Sequence, residues 1–165
     1  MISIVPITAR NFLVFKAVRL QALQDSPYAF CSTYARESEF TDEEWIRRAE
    51  NWNGARGAGF LATDENGPCG IVGSFLDERD ATQARLVSMW TAPTHRTLGV
   101  GTLLVRAAES WARDAGANTM TLMVTSNNQS AKSFYEKIGY ASTGVQLPHS
   151  TDPAEFEHEM SRRIL

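Results

Sequence analysis

The sequence predicts an α/β (α+β) domain, a single twisted sheet of about seven strands flanked by about four helices. Three observations carry that prediction. Strand-like and helix-like runs follow one another in the order strand, two helices, three strands, helix, strand, helix, two strands. The helical run at the centre follows directly on a strand, and its apolar stripe must pack on something flat. No repeat, linker or low-complexity tract divides the 165 residues. That length suits one domain, able to bury a core without metal or disulfide staples.

Residues 2–7 read as the first strand, apolar at Ile2, Ile4, Val5 and Ile7, with Pro6 arguing for an edge position or a strand end. Thr8 then caps a helix carrying Phe12, Leu13, Phe15, Val18, Leu20 and Leu23. It ends near Asp25, because Ser26 precedes Pro27 and is pushed out of helical geometry. Residues 28–40 have no clear period but are rich in aromatic and small polar side chains, which suits either a packed connection or a binding wall. Thr41 opens a second helix with Glu44 as its capping-box partner. Trp45, Ala49 and Trp52 form the apolar side of that helix, and Asn53 and Gly54 end it. Residues 59–63 and 69–76 read as a hairpin, joined by a turn through Asp64, Glu65, Asn66, Gly67 and Pro68.

Residues 84–90 read as a buried strand that Pro93 stops, since proline offers no N–H to the ladder. From Val100 the period becomes helical. Val100, Leu103, Leu104, Ala107, Ala108 and Trp111 form one stripe, and Gly116 closes the helix. Residues 118–125 alternate around Met120, Leu122 and Val124 as a strand. Asn128 caps a short helix with Ala131, Phe134, Tyr135 and Ile138 on one side and Gly139 as its stop. Residues 140–147 and 155–164 are the last two strands.

The composition, 43% hydrophobic and 21% charged with a net charge of −3, is that of an ordinary globular protein and gives no bulk electrostatic support for a nucleic-acid partner. No basic leader with an apolar core opens the chain and no run reaches membrane length, so a cytoplasmic protein with no membrane partner is expected. Cys31 and Cys69 lack any metal-ligand spacing and read as reduced thiols; no metal is expected.

The joint between the central strand and helix carries the chemistry, with the spacing Arg96-x-x-Gly99-x-Gly101. Free N–H groups at a helix start, together with the positive end of the helix dipole, suit a phosphate. Residues without side chains let it come close. The stretch is not a P-loop, because no Lys-Ser or Lys-Thr follows the second glycine, and the G-x-G-x-x-G dinucleotide fingerprint is absent.

Arg96-x-x-Gly99-x-Gly101 after Trp90-Thr91-Ala92-Pro93 resembles the acetyl-CoA-binding motif of the GNAT-type N-acetyltransferase superfamily. Downstream, Asn127-x-x-x-Ala131-x-x-Phe134-Tyr135-Glu136-Lys137-Ile138-Gly139-Tyr140 resembles that superfamily's second signature. The resemblance implies a mixed, mostly antiparallel sheet. It also implies acetyl-CoA as co-substrate, without a metal, and direct attack of a primary amine on the thioester. Met89, Trp90 and Thr91 would offer backbone groups to the pantetheine arm, besides filling the sheet. Arg96, Thr97, Leu98, Gly99, Val100, Gly101 and Thr102 would wrap the pyrophosphate through their amides, with Arg96 adding charge. Asn127 would fix the cofactor or the end of a splayed strand, or simply begin a helix. Ser130 and Lys132 would reach the nucleotide phosphates, or Lys132 is a solvated charge.

Tyr135 is the candidate general acid for the departing thiolate, although by helical phase alone it would be core. Tyr28, Phe30 and Tyr34 with Glu37 would enclose a cationic amine, or only pack. The substrate would be chosen by residues 25–40 and 147–153. The general base stays open among Glu37, Glu39, Glu78 and His149, and His95 reads as a surface residue of the cofactor loop. The leading expectation is N-acetylation of a small-molecule amine. Acetylation of a protein N-terminus or lysine, and a non-catalytic CoA-binding homologue, are the alternatives. Relatives often pair through element edges, and residues 155–164 alternate enough to take part in a possible homodimer.

Overall fold

The computed structural model describes residues 1–150 and 152–165. Strands β1 (Ser3–Pro6), β2 (Gly57–Asp64), β3 (Gly67–Leu76), β4 (Gln83–Thr91), β5 (Thr119–Thr125), β6 (Ala141–Pro148) and β7 (Phe156–Arg163) form one open sheet. Its order is β1-β2-β3-β4-β5-β7-β6. Every neighbouring pair is antiparallel except β4 and β5. Those two are joined by a helical crossover, which parallel strands require.

The helices are α1 (Phe12–Asp25), α2 (Tyr34–Glu37), α3 (Asp42–Asn51), α4 (Val100–Asp114) and α5 (Gln129–Lys137). Gly70 of β3 lies against Leu104 and Val100 of α4, whereas Gly73 lies beneath the Trp52 ring that follows α3. Helices therefore cover both faces of the sheet. The core between them includes Phe15, Trp45, Leu61, Ile71, Leu104 and Met120, all fully buried.

Local signals set most boundaries. Thr8 accepts from the Arg10 amide and begins a short 3-10 turn that runs into α1. Gly116, at φ +100°, ends α4 with Gly116 N–H on the Arg113 carbonyl and Ala117 N–H on that of Ala112. This is the Schellman pattern. Asn128 caps α5 through its side chain on the Ala131 amide.

Several elements depart from the sequence reading. The buried face of α4 is Val100, Leu104, Val105, Ala108, Glu109 and Ala112, while Leu103 is exposed. A carboxylate at its centre hides this face from an apolar count. Glu109 is satisfied by Arg106, Arg162 and the Tyr140 hydroxyl. The stretch expected to lack regular structure contains α2, a single turn capped by Thr33 and too short to show a period. Both hairpin strands extend into the expected turn, so Pro68 pairs with Thr63 inside the ladder. Thr41 caps α3 as expected, yet Glu44 lines a pocket beside Arg47 and Arg48. Finally, β7 is hydrogen-bonded on both sides, which leaves β6 as the free edge at that end of the sheet. Residues 155–164 therefore offer no strand edge to a second copy.

Candidate active site

The site begins as a fault in the sheet. Between the pairs Ile71↔Trp90 and Gly73↔Val87, β3 contributes one residue and β4 contributes two, Ser88 and Met89. Ser88, one of the two, takes φ +56°, a left-handed value uncommon for a residue with a side chain. On its other side β4 pairs with β5 only through Gln83, Ala84 and Arg85. Beyond that point β5 stays with β7 and the two parallel strands part.

The cleft so opened is lined by residues 86–89 of β4 and 122–125 of β5. Phe30 from the α1–α2 connection and Tyr135 from α5 also line it. That connection is held down where Thr125 Oγ1 donates to the Tyr28 carbonyl at 3.0 Å.

One approach to the cleft is the loop from Pro93 to Gly99. Thr97 and Gly99 both have positive φ, +67° and +83°. Left-handed residues of this kind curl successive N–H groups around an anion. The backbone N–H groups of residues 96–102 donate to no acceptor among the described residues, so a chain of free donors leads into the first turn of α4. Gly101 also meets a packing need. A Cβ there would lie 3.0 Å from Met89 Cε and 3.1 Å from Phe134 Cζ, so its bareness lets α4 seat on β4 and α5.

The Arg96 side chain turns back to donate to the Thr91 carbonyl and to Asp25 at the end of α1. Asp25 also accepts from Trp90 Nε1 at 2.9 Å and from Ser26 Oγ at 2.8 Å. Burial works against the charge of Asp25, but the bonds from Trp90, Ser26 and Arg96 hold its pKa below the ordinary carboxylate value. One carboxylate thus ties the end of α1 to β4 and to the amide loop. His95 is likewise engaged, at 2.6 Å from Asp64.

Tyr135 is buried, and its hydroxyl makes no hydrogen bond with any described residue. Burial alone raises its pKa well above that of an ordinary phenol, so the proton stays on oxygen. The neighbouring rings of Phe134 and Tyr140 pack edge-on against it, with centroids 5.1 and 5.8 Å away. Of the remaining second-signature residues, Asn127, Ser130 and Lys132 are exposed at the start of α5.

The residues expected to enclose the amine are not brought together as one wall. Phe30 is buried at the cleft, whereas the Tyr28 and Tyr34 rings are 63% and 40% exposed. Glu37 is buried and fully engaged: Arg19 donates to both its oxygens and Arg48 to one. Burial opposes its ionisation, but Arg19, Ser32 and Arg48 together bring its pKa down to about 2. Its charge is therefore already neutralised. Glu39 and Glu78 are exposed and do not line the cleft. His149 is buried, with Nδ1 accepting from the Asp152 amide. Thr151, in the second loop expected to select substrate, lies outside the described residues.

Arg19 and Ser88 are the residues the sequence reading missed. Arg19 Nη1 donates to Ser88 Oγ at 3.1 Å and so braces the bulge against α1. The available signal was an arginine at a core-facing phase of α1, between Phe15, Val18, Ala22 and Leu23. Among the described residues no cluster of His, Cys, Asp and Glu is arranged to hold a metal, and no helix is long and apolar enough to cross a membrane.

Residues 20–140 match the acetyltransferase (GNAT) family. The chain belongs to that family. GNAT proteins use acetyl-CoA, and the splayed strands and the amide loop lie in the matched segment. Streptothricin acetyltransferase of Streptomyces lavendulae is 41% identical over 70 residues, 42% of this chain and 37% of that protein. Mycothiol acetyltransferase of Nocardia farcinica is 28% identical over 113 residues, 66% of this chain and 37% of that protein. The chain therefore spans little more than a third of either relative. A GNAT acetyltransferase from Streptococcus pneumoniae superposes over the whole of both chains with a TM-score of 0.83 at 20% identity, a likeness of fold.

Proposed function

We propose that the protein transfers the acetyl group of acetyl-CoA to a primary amine of a small molecule by direct attack. The observation that carries this reading is the cleft where β4 and β5 part, with amides leading into it and a tyrosine hydroxyl within it that have no hydrogen-bond partner among the described residues.

In this reading the amides of Arg96, Thr97, Leu98, Gly99, Val100, Gly101 and Thr102 hold the pyrophosphate. The dipole of α4 adds to their attraction. Met89, Trp90 and Thr91 run beside the pantetheine, where the parting from β5 frees one backbone edge. Asn127, Ser130 and Lys132 meet the nucleotide end. Arg96 acts chiefly as a brace, since its guanidinium is held by Asp25 and the Thr91 carbonyl.

The neutral amine attacks the thioester carbon, the new C–N bond forms, and the C–S bond breaks. The nitrogen loses a proton and the departing thiolate gains one. Tyr135 supplies the hydrogen bond and proton at sulfur, and its raised pKa keeps it a donor throughout the working pH range. An α-amino group, with a pKa near 8, sheds its proton to water without a dedicated base. The paired state of Glu37 supports a mechanism without that carboxylate as the base.

Two relatives are named for streptothricin and for mycothiol, small molecules rather than proteins, which favours a small amine here. The test is release of free thiol from acetyl-CoA across a panel of amines, with peptides bearing free N-termini and lysines alongside. Amine-dependent release is expected. Release with peptides alone would move the assignment to a protein acceptor, and none with any amine would refute transfer.

A further inference from the structure

The α1–α2 connection passes over β5 and β7 and is tacked down on each. Thr125 Oγ1 on β5 donates to the Tyr28 carbonyl, and Cys31 Sγ donates to Oε1 of Glu157 on β7 at 2.8 Å. Phe30, between those two points, lines the cleft, as does Thr125. Glu157 stands directly opposite Thr125 in the antiparallel ladder. The side chains of such a pair leave the sheet on one face, with Cβ atoms about 4.5–5.5 Å apart. The Glu157 carboxylate therefore sits under the connection, one side chain away from the cleft wall.

Its two oxygens differ in what they meet. Oε1 is held by Cys31, whereas Oε2 accepts no hydrogen bond and the carboxylate forms no ion pair among the described residues. Glu159, two positions along the same strand, accepts from Thr143 Oγ1 at 3.0 Å and lies 4.0 Å from Arg85. Glu37 is already paired with Arg19 and Arg48. Glu157 is half-buried, on a strand hydrogen-bonded along both edges, so its backbone is fixed. Partial desolvation and the bond to Glu157 raise the pKa of the Cys31 thiol, so sulfur keeps its proton and stays the donor. One carboxylate oxygen is thus oriented and the other is left for a ligand.

We infer that Glu157 is the proton acceptor for the attacking amine, with Cys31 as its positioning residue. The role rests on the acetyl transfer proposed above. Water takes the proton of the free ammonium, but a second proton must leave nitrogen as the C–N bond forms and positive charge develops there. Glu157 Oε2 accepts that proton, directly or through one water, which is the reach a general base requires. The C–S bond breaks, and the thiolate takes the Tyr135 proton. Glu157 then gives its proton to water and Tyr135 recovers one, so both end the cycle as they began. The carboxylate charge, close to the nitrogen only when it turns cationic, favours the transition state over the neutral amine.

The experiment measures amine-dependent thiol release by Glu157→Gln, Glu157→Ala, Cys31→Ala and Cys31→Ser. In Glu157→Gln, kcat is expected to fall about 10²-fold, while the KM for the amine and the melting shift with acetyl-CoA change little. Added formate is expected to restore part of the kcat of Glu157→Ala, where the shortened side chain leaves room, and none of that of Glu157→Gln, where the amide fills it. Cys31→Ala should lose kcat several-fold, and Cys31→Ser, which keeps a donor, should recover most of it. An unchanged kcat in Glu157→Gln, a loss confined to KM, or a loss in Glu157→Ala that formate does not restore would overturn the inference. If the Glu157 variants fail to fold, the Cys31 pair decides: a fall in kcat that serine recovers supports the role, and no fall overturns it. Release by the parent that every variant retains would remove this role alone; no release by the parent with any amine would remove the transfer itself and this role with it.

Discussion

Arg19 meets Glu37 with two parallel hydrogen bonds of 2.9 Å, Nε to Oε1 and Nη2 to Oε2, in the interior between α1 and α2. The same guanidinium supports Ser88 at the bulge of β4. A buried ion pair thus stands directly behind the point where the sheet opens, so the shape of the cleft depends on a charge balance.

Glu37→Gln tests that dependence. The substitution leaves two guanidiniums facing a neutral amide, and breaking a buried pair costs about 3–5 kcal/mol. Its pH signature follows from the direction of the pKa shift. Folding lowers the pKa of Glu37 from 4.5 to about 2, so its stabilisation is complete above the unfolded value and is lost as pH falls toward the folded one. Denaturant unfolding should show a large loss near neutrality. Between about pH 4.5 and 2 the gap between variant and parent should close. A parallel pair of pH curves would contradict the assigned role.

Asp25→Ala removes the acceptor for Trp90 Nε1 and frees Arg96. An unsatisfied buried donor costs about 1–3 kcal/mol, and the loop of free amides loses its anchor to α1. The expected result is a modest fall in melting midpoint together with a several-fold rise in the acetyl-CoA dissociation constant, measured by calorimetry. Unchanged affinity would show that the loop holds its form without this brace.

Much of this framework was legible in the residues. The strand–loop–helix joint could be read because Pro93, Gly99 and Gly101 are local signals, and the Asn128 cap and the stops at Gly116 and Gly139 are local as well. The bulge at Ser88 was not, since it exists only as a count of two residues against Val72 on β3. Arg19 and Glu37 stand 18 positions apart, and nothing in either residue's local pattern signals that they pair. Glu109 misled in the same way, concealing part of the α4 core face behind a carboxylate whose partners come from α4 itself, Tyr140 and β7.

Tyr135→Phe deletes a hydroxyl with no hydrogen-bond partner among the described residues, so the melting midpoint should move little. General acid catalysis is worth about 10²-fold or more. Turnover should therefore fall by about that factor with acetyl-CoA affinity almost unchanged. Unaltered turnover would remove Tyr135 as the proton donor.

The pH profile separates the donor from the amine. With an alkylamine acceptor, kcat/KM should climb as the ammonium deprotonates and should show no decline at the ordinary phenol pKa of about 10, because burial raises that of Tyr135. With an α-amino acceptor the rise should level off near pH 8. A decline centred near pH 10 that disappears in Tyr135→Phe would show the phenol ionising at its ordinary value.

The most direct test of the central claim, that the amide loop at residues 96–102 holds acetyl-CoA, is a melting curve with and without the ligand. At 100 times its dissociation constant a ligand stabilises by about 2.7 kcal/mol. For a domain of this size the midpoint should rise by about 5–10 °C. The rise should shrink in Gly99→Ala, where a side chain is forced into the left-handed conformation at φ +83°. No rise at saturating acetyl-CoA would contradict the account, and the proposed acetyl transfer would fall with it.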